Sequence, residues 1–218
     1  MIENEDPDLI EIKGWPFRVK QAEKPEGPVR VLLLLHGFLG NENVMWIFTK
    51  SIPKTFDILA PRAPIKLGPD QYSWHPIEPQ WPGLNQTYHP LAVELLDRAD
   101  QWVSDNNLAV EQYDLMGFSQ GAVMAYGLSF LFPERIRKVA ALAGFIPQSW
   151  LPELNNISLT KQSYFIAHGT QDVTVPFEKA QRAAGLLKEK GADVTFCEAD
   201  TGHKFGANCF NGLHAFFS

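Results

Sequence analysis

The sequence predicts an α/β domain built on a mostly parallel central sheet with helices on both faces. Three observations carry that expectation. Short apolar runs recur along the 218 residues and alternate with segments of helical periodicity. The runs lack the polar–apolar alternation of a half-solvated sheet, so they read as strands covered on both sides. One of them, Tyr113 to Met116, leads through Gly117-Phe118-Ser119-Gln120-Gly121 into a helix-like stretch, the pattern of a sharp strand–turn–helix corner.

The elements follow in order. Ile10 to Ile12 and Phe17 to Lys20 read as two short strands around a Gly14-Trp15-Pro16 break. A polar, proline-bearing turn from Glu23 to Pro28 feeds the strand Val29 to Leu35, and Asn43 to Thr49 reads as a helix after it. Phe56 to Leu59 is a strand closed by Pro61. The stretch from Arg62 to Gln86 carries Pro64, Pro69, Pro76, Pro79 and Pro82, a density that predicts a long irregular loop. Beyond Pro90, Leu91, Leu95, Ala99, Trp102 and Val103 recur at helical spacing to about Asn106. The helix after Ser119 ends at Pro133. Strands follow at Val139 to Leu142, Tyr164 to Ala167 and Val194 to Phe196, with helices at Phe177 to Lys190 and Phe205 to Phe217. No repeat divides the chain, so residues 1–218 are read as one domain.

Composition limits what such a domain does. Hydrophobic residues make up 45% and charged residues 20%, ordinary values for a globular protein. A net charge of −6 and the lack of a Lys/Arg cluster argue against a nucleic-acid partner. The acidic start, Met1 to Asp6, is unlike a secretory signal, and Val31 to Leu35 is too short to cross a bilayer. With no amphipathic anchor or basic patch, no stable membrane association is expected, and the location predicted is cytoplasmic. Two cysteines, Cys197 and Cys209, imply no disulfide framework and are expected as buried, reduced thiols. Phe210, Phe216 and Phe217 suit a closing helix that buries one face, and a homodimer stays open.

Chemistry gathers around Ser119. A corner so tight needs residues without bulk beside the nucleophile, and Gly117 and Gly121 meet that demand. A serine hydroxyl needs a base, and the base needs a carboxylate to fix its tautomer. Of six histidines, at positions 36, 75, 89, 168, 203 and 214, His203 lies in the loop after the last strand. A fold with this corner places its acid after the nucleophile and its histidine last. Asp172, in the loop after the strand ending at His168, fits that order. Asp193 begins a strand, at the wrong sheet end, and Asp200 shares the loop of His203 and is the nearer rival. The candidate triad is therefore Ser119, Asp172 and His203. The N–H of Gln120 is one expected oxyanion donor, and that of Phe38, in His36-Gly37-Phe38-Leu39-Gly40, is the other.

With these residues in hand, the chain resembles the phospholipase/carboxylesterase group of α/β-hydrolases, which includes acyl-protein thioesterase-like enzymes. The likeness rests on Leu35 to Glu42, Ala60-Pro61-Arg62-Ala63-Pro64, the Gly117 to Gly121 corner, His168 to Asp172 with Val175-Pro176, and Gly202-His203. It implies an α/β-hydrolase fold without a large cap domain, and a serine esterase using the triad and donors named above. Relatives often read Ser-Trp-Phe or Arg-Trp-Phe where this chain has Ser73-Trp74-His75, so the acyl-chain preference is not carried over. Leu39, Trp74 and Trp81 are the expected pocket residues, the two tryptophans serving equally well as packing anchors.

The function expected is hydrolysis of small to medium carboxylic esters or thioesters through an acyl-serine, with no metal or organic cofactor. Two alternatives stand beside it. One is a thioesterase or lysophospholipase acting on lipidated substrates. The other is a ligand-binding module that keeps the fold without turnover.

Overall fold

The computed structural model describes residues 8–23, 29–76 and 81–218. The acidic N-terminus, the turn at 24–28 and part of the proline-rich stretch, 77–80, lie outside them. Eight strands form one sheet: β1 (Asp8–Ile12), β2 (Trp15–Lys20), β3 (Arg30–Leu35), β4 (Phe56–Pro61), β7 (Tyr113–Phe118), β8 (Ile136–Leu142), β9 (Ser163–Gly169) and β10 (Asp193–Ala199). Their order across the sheet is β1-β2-β4-β3-β7-β8-β9-β10. β1 and β2 run antiparallel at one edge, and every pair from β4 to β10 is parallel.

Strand residues alternate between two cores. Val31, Leu33 and Leu35 of β3 point to one face with Leu115, Val139 and Ile166, while Leu32 and Leu34 join Met116, Ala140 and Phe165 on the other. The first face is covered by α1 (His89–Asp105), α2 (Gln120–Leu131) and α3 (Phe177–Glu189). The second is covered by a 3-10 segment, Val44–Ser51, and by α4 (Phe210–Phe217). Since β3 and β7 are sandwiched on both sides, an unbroken Leu run is what their position requires. α2 is buried from Gln120 through Phe130, which explains its lack of a polar stripe. Phe217 is fully buried against Phe56, with ring centroids 5.8 Å apart, and Arg30 Nη1 donates to its carbonyl at 2.6 Å. Among the described residues, no helix is long and apolar enough to cross a membrane.

Two expectations need correction. The proline-rich stretch is not wholly irregular: β5 (Ile65–Gly68) and β6 (Gln71–Ser73) form a hairpin inside it, and Leu84–Tyr88 makes a π-helical turn. The prolines bound these pieces instead of interrupting them, since Pro64 precedes β5 and Pro69 sits in the hairpin turn. The thiols are not reduced either. Cys197, in β10, is bonded to Cys209, whose Cα lies 5.9 Å away although the two are 12 positions apart. The chain leaves the sheet, turns through residues 200–206 and returns along β10, where Asn208 Nδ2 donates to Glu198 O at 2.9 Å. Disulfides persist in oxidising compartments, so this pair lends no support to a cytoplasmic location. A bridge closing so short a loop stabilises by about 3 kcal/mol on chain-entropy grounds. Reduction with dithiothreitol is expected to lower the unfolding free energy by about that amount. Superimposable urea curves for oxidised and reduced protein would contradict it.

Candidate active site

The parallel strands deliver their following loops to one sheet edge, and the corner after β7 is the tightest of them. Ser119 has φ +52° and ψ −115°, in the left-handed half of the map where side chains are strained. Its neighbours make room for it. A Cβ on Gly121 would stand 2.0 Å from Leu35 O, and one on Gly117 would stand 2.2 Å from Gly121 O. Only glycine lets α2 start this close to β3 and β7. Ser119 is the residue before α2, so the N–H groups of Gln120 and Gly121 begin the helix without partners one turn back.

From Ser119 a hydrogen-bonded row runs to the loops after β9 and β10. Ser119 Oγ lies 3.0 Å from His203 Nε2, and His203 Nδ1 lies 2.7 Å from Asp172 Oδ2. The side chain of Asp172 is fully buried, and its other oxygen accepts the N–H of Thr174 at 2.9 Å and of Val175 at 2.8 Å. Those two bonds fix the carboxylate plane, so the oxygen facing His203 cannot swing away. His168 approaches the same oxygen, with Nε2 3.3 Å from Asp172 Oδ2 while donating to Val175 O at 2.7 Å. The loop carrying His203 is the one closed by the disulfide. Asp200, the rival acid, is exposed and accepts from Gln171 Nε2 at 2.6 Å, turned to its own surface contact.

The remaining histidines near the site are sorted by surroundings. His36, at the end of β3, donates from Nδ1 to Gly37 O at 2.8 Å and accepts the N–H of Ala63 at Nε2, 3.0 Å away. Burial pushes its imidazolium form down to a pKa of about 4. It is a neutral brace between the loops after β3 and β4. A second brace joins the same loops, where Arg62 meets both oxygens of the buried Glu42 at 2.7 and 2.6 Å.

A cavity of about 300 Å³ opens onto Ser119, with Phe38, His75, Trp81, Gln120, Phe145 and Lys179 among its walls. Phe38 and Gln120 are thus both among its walls. Of the three pocket residues the sequence suggests, only Trp81 lines this cavity. Trp74 is buried beneath it, donating from Nε1 to His36 O at 2.7 Å and from its backbone N–H to Gln120 Oε1 at 3.1 Å; it is a packing anchor. Leu39 is also displaced from the pocket, for its φ of +62° and the bond from its N–H to Tyr72 O turn it outward, 43% exposed. The Gln120 side chain is an unforeseen clamp, its Nε2 donating to Ser73 Oγ at 2.9 Å, and Ser73 Oγ to His75 O at 2.6 Å. His75 lies where relatives carry an aromatic, which was the one hint in the sequence. Phe145 and Lys179 had none, because they reach the cavity from elements that pattern only as loop and helix surface.

A family model described as phospholipase/carboxylesterase matches residues 17–217. The chain belongs to that family. Within this hydrolase family it is 36% identical, over 106 residues, to acyl-protein thioesterase 1 of Emericella nidulans, the match spanning 42% of this chain and 44% of that protein. With the protein of the same name from Debaryomyces hansenii it shares 26% over 105 residues, 48% of this chain and 45% of that one. The chain thus matches less than half the length of these curated relatives. The carboxylesterase structure from Bacillus cereus superimposes with a TM-score of 0.81 at 20% identity, over 93% of each chain. That from Mesorhizobium loti gives 0.81 at 20% identity, over 97% of this chain and 98% of the other. These likenesses show the α/β-hydrolase fold, here with no cap domain built over the sheet edge by the described residues.

Two measurements check the packing around the site. Gly121→Ala is expected to lower the unfolding free energy by about 3 kcal/mol, because the added methyl meets fixed backbone; a change within a few tenths by urea unfolding would contradict the close approach. For His36 the folded-state pKa is depressed, so the unfolded chain binds the extra proton first. Stability is therefore full above the unfolded value of 6.5 and falls as pH drops from there toward 4. The loss is on the order of 3 kcal/mol, at about 1.4 kcal/mol per unit. Denaturant curves across that range should show a shallower slope in His36→Gln than in the unaltered protein.

Proposed function

We propose that the protein is a serine carboxylesterase acting on small to medium acyl esters and thioesters. The observation that carries this is the single row Ser119–His203–Asp172, at 3.0 and 2.7 Å, opening into a cavity shared by Phe38 and Gln120. His203 Nε2 takes the Ser119 proton as Oγ attacks the acyl carbonyl, and Asp172 holds the Nδ1–H tautomer and steadies the imidazolium that forms. The backbone N–H groups of Phe38 and Gln120 receive the oxyanion. His203 then gives its proton to the departing alcohol or thiol. Water attacks the acyl-serine by the same steps in reverse order, and the acid leaves.

The cavity also suggests direction. The leaving group must meet the imidazole that protonates it, and His203 is not among the cavity's described walls. The acyl part therefore occupies the cavity and the leaving group the side toward His203 and Phe118, whose rings lie 5.2 Å apart. Sequence likeness to acyl-protein thioesterases is the specific reason to include thioesters.

Ser119→Ala is expected to lower kcat/KM for 4-nitrophenyl acetate by roughly 10⁴-fold or more, and Asp172→Asn to lower kcat on a similar scale. A fluorophosphonate should label Ser119 with a stoichiometry that tracks turnover. Full activity in Ser119→Ala, or labelling without any turnover, would overturn the reading; the second result would make the protein a binding module.

A further inference from the structure

The cavity at Ser119 has a neighbouring hollow on the far side of Trp81, Phe145 and Lys179, which line both. This second, outer chamber has a volume of about 830 Å³. That volume lies in the range of pockets for drug-sized ligands, about 300–1,000 Å³, and exceeds what a short acyl group needs. One wall is apolar, with Ile146 and Leu151 beyond Phe145. The other is the outer face of α3, where Lys179, Arg182, Leu186 and Glu189 follow at helical spacing. Gly185 leaves the floor open, since a Cβ there would meet nothing within 4 Å.

Charge is arranged unevenly along this wall. Lys179, at the neck between the chambers, holds its ammonium 4.5 Å from the centre of the Phe145 ring. Neither it nor Arg182 forms an ion pair among the described residues. Of the two acids on α3, Glu178 stands one turn before Arg182 and outside the chamber's lining, and Glu189 about two turns beyond it. In a chain of net charge −6, two unpaired cations at the mouth of an ester site form a local field opposite to that of the whole molecule.

The geometry points to a substrate whose acyl group ends in a carboxylate: an ω-carboxyacyl ester or thioester, its methylene chain laid along the edge-to-face pair of Trp81 and Phe145, whose ring centroids are 4.8 Å apart, and its carboxylate held by Lys179 and Arg182. This rests on the esterase reading, which places the acyl part in the inner cavity, and it adds the chemical class of that acyl part. The position of Glu189 sets an upper length. A chain long enough to carry its carboxylate past Arg182 meets a like charge, so preference peaks at a medium diacid and declines beyond it.

The test compares 4-nitrophenyl half-esters of adipic and suberic acids with 4-nitrophenyl hexanoate and octanoate. The readout is the ratio of kcat/KM for the carboxylate-ended to the methyl-ended ester of equal length, per fluorophosphonate-titrated site. The expected adipate-to-hexanoate ratio is above one, falls with added salt, and drops at least tenfold in Lys179→Met/Arg182→Met. Arg182→Glu should lower it further, chiefly through KM. A ratio below one, or one unmoved by these substitutions while hexanoate turns over through Ser119, would overturn this inference and leave the esterase intact. Absence of turnover on all four esters, with Ser119 unlabelled, would overturn both.

Discussion

The site depends on the contact between the start of α2 and the end of β3, where no side chain intervenes. A methyl group at Gly121 would overlap Leu35 O, and one at Gly117 would overlap Gly121 O. Because those positions are bare, the helix begins directly against the strand, and Ser119 is driven into its left-handed conformation. The strain is held by packing on all sides, since α2 is buried along almost its whole length. The same closeness positions the two backbone donors proposed for the oxyanion. Leu35 carries the chain straight into His36, Gly37 and Phe38, so the loop after β3 and the first turn of α2 are positioned by one contact.

What surrounds that contact is braced by hydrogen-bonded side chains from three loops and the corner itself. His36 ties Gly37 to Ala63, Arg62 ties the following turn to Glu42, and Gln120 ties the corner to Ser73. Two similar residues diverge here through burial alone. His36 is closed in by backbone on both ring nitrogens and kept neutral, whereas His203 is part-exposed beside a carboxylate whose remaining oxygen is already occupied by two N–H groups. Only the second has a serine hydroxyl at one ring nitrogen and a carboxylate at the other, the arrangement the proposed mechanism needs.

The layout of the candidate site was legible in the sequence because backbone rules write it there. Glycines mark the corner, a loop after each parallel strand marks the edge, and the order serine, acid, histidine follows from the winding of the sheet. The sandwiched strands and the amphipathic α1 and α3 were legible for the same kind of reason. Pocket walls follow no such rule. Trp74 and Trp81 look alike in sequence, yet a hydrogen bond to His36 O buries the one and contact with His75 and Phe145 leaves the other at the cavity. Lys179 and Arg182 fit the polar face of an amphipathic helix, so nothing local distinguishes them from solvated charge. The disulfide was hidden because a pairing of Cys197 with Cys209 needs the return path of residues 200–206, which is tertiary information.

These differences in legibility divide the molecule into a part that resists change and a part that tolerates it. Substitutions at the corner, the braces or the acid disturb buried backbone contacts and hydrogen-bonded charges, the mechanisms that cost most. Arg182 and Gly185 lie on the exposed side of α3, where a substitution costs within about half a kcal/mol on ordinary surface grounds. A Gly185 side chain would even gain helix propensity, roughly 1 kcal/mol for alanine, while narrowing the chamber floor. The residues proposed to select an acyl group can therefore vary without loosening the buried corner and its braces.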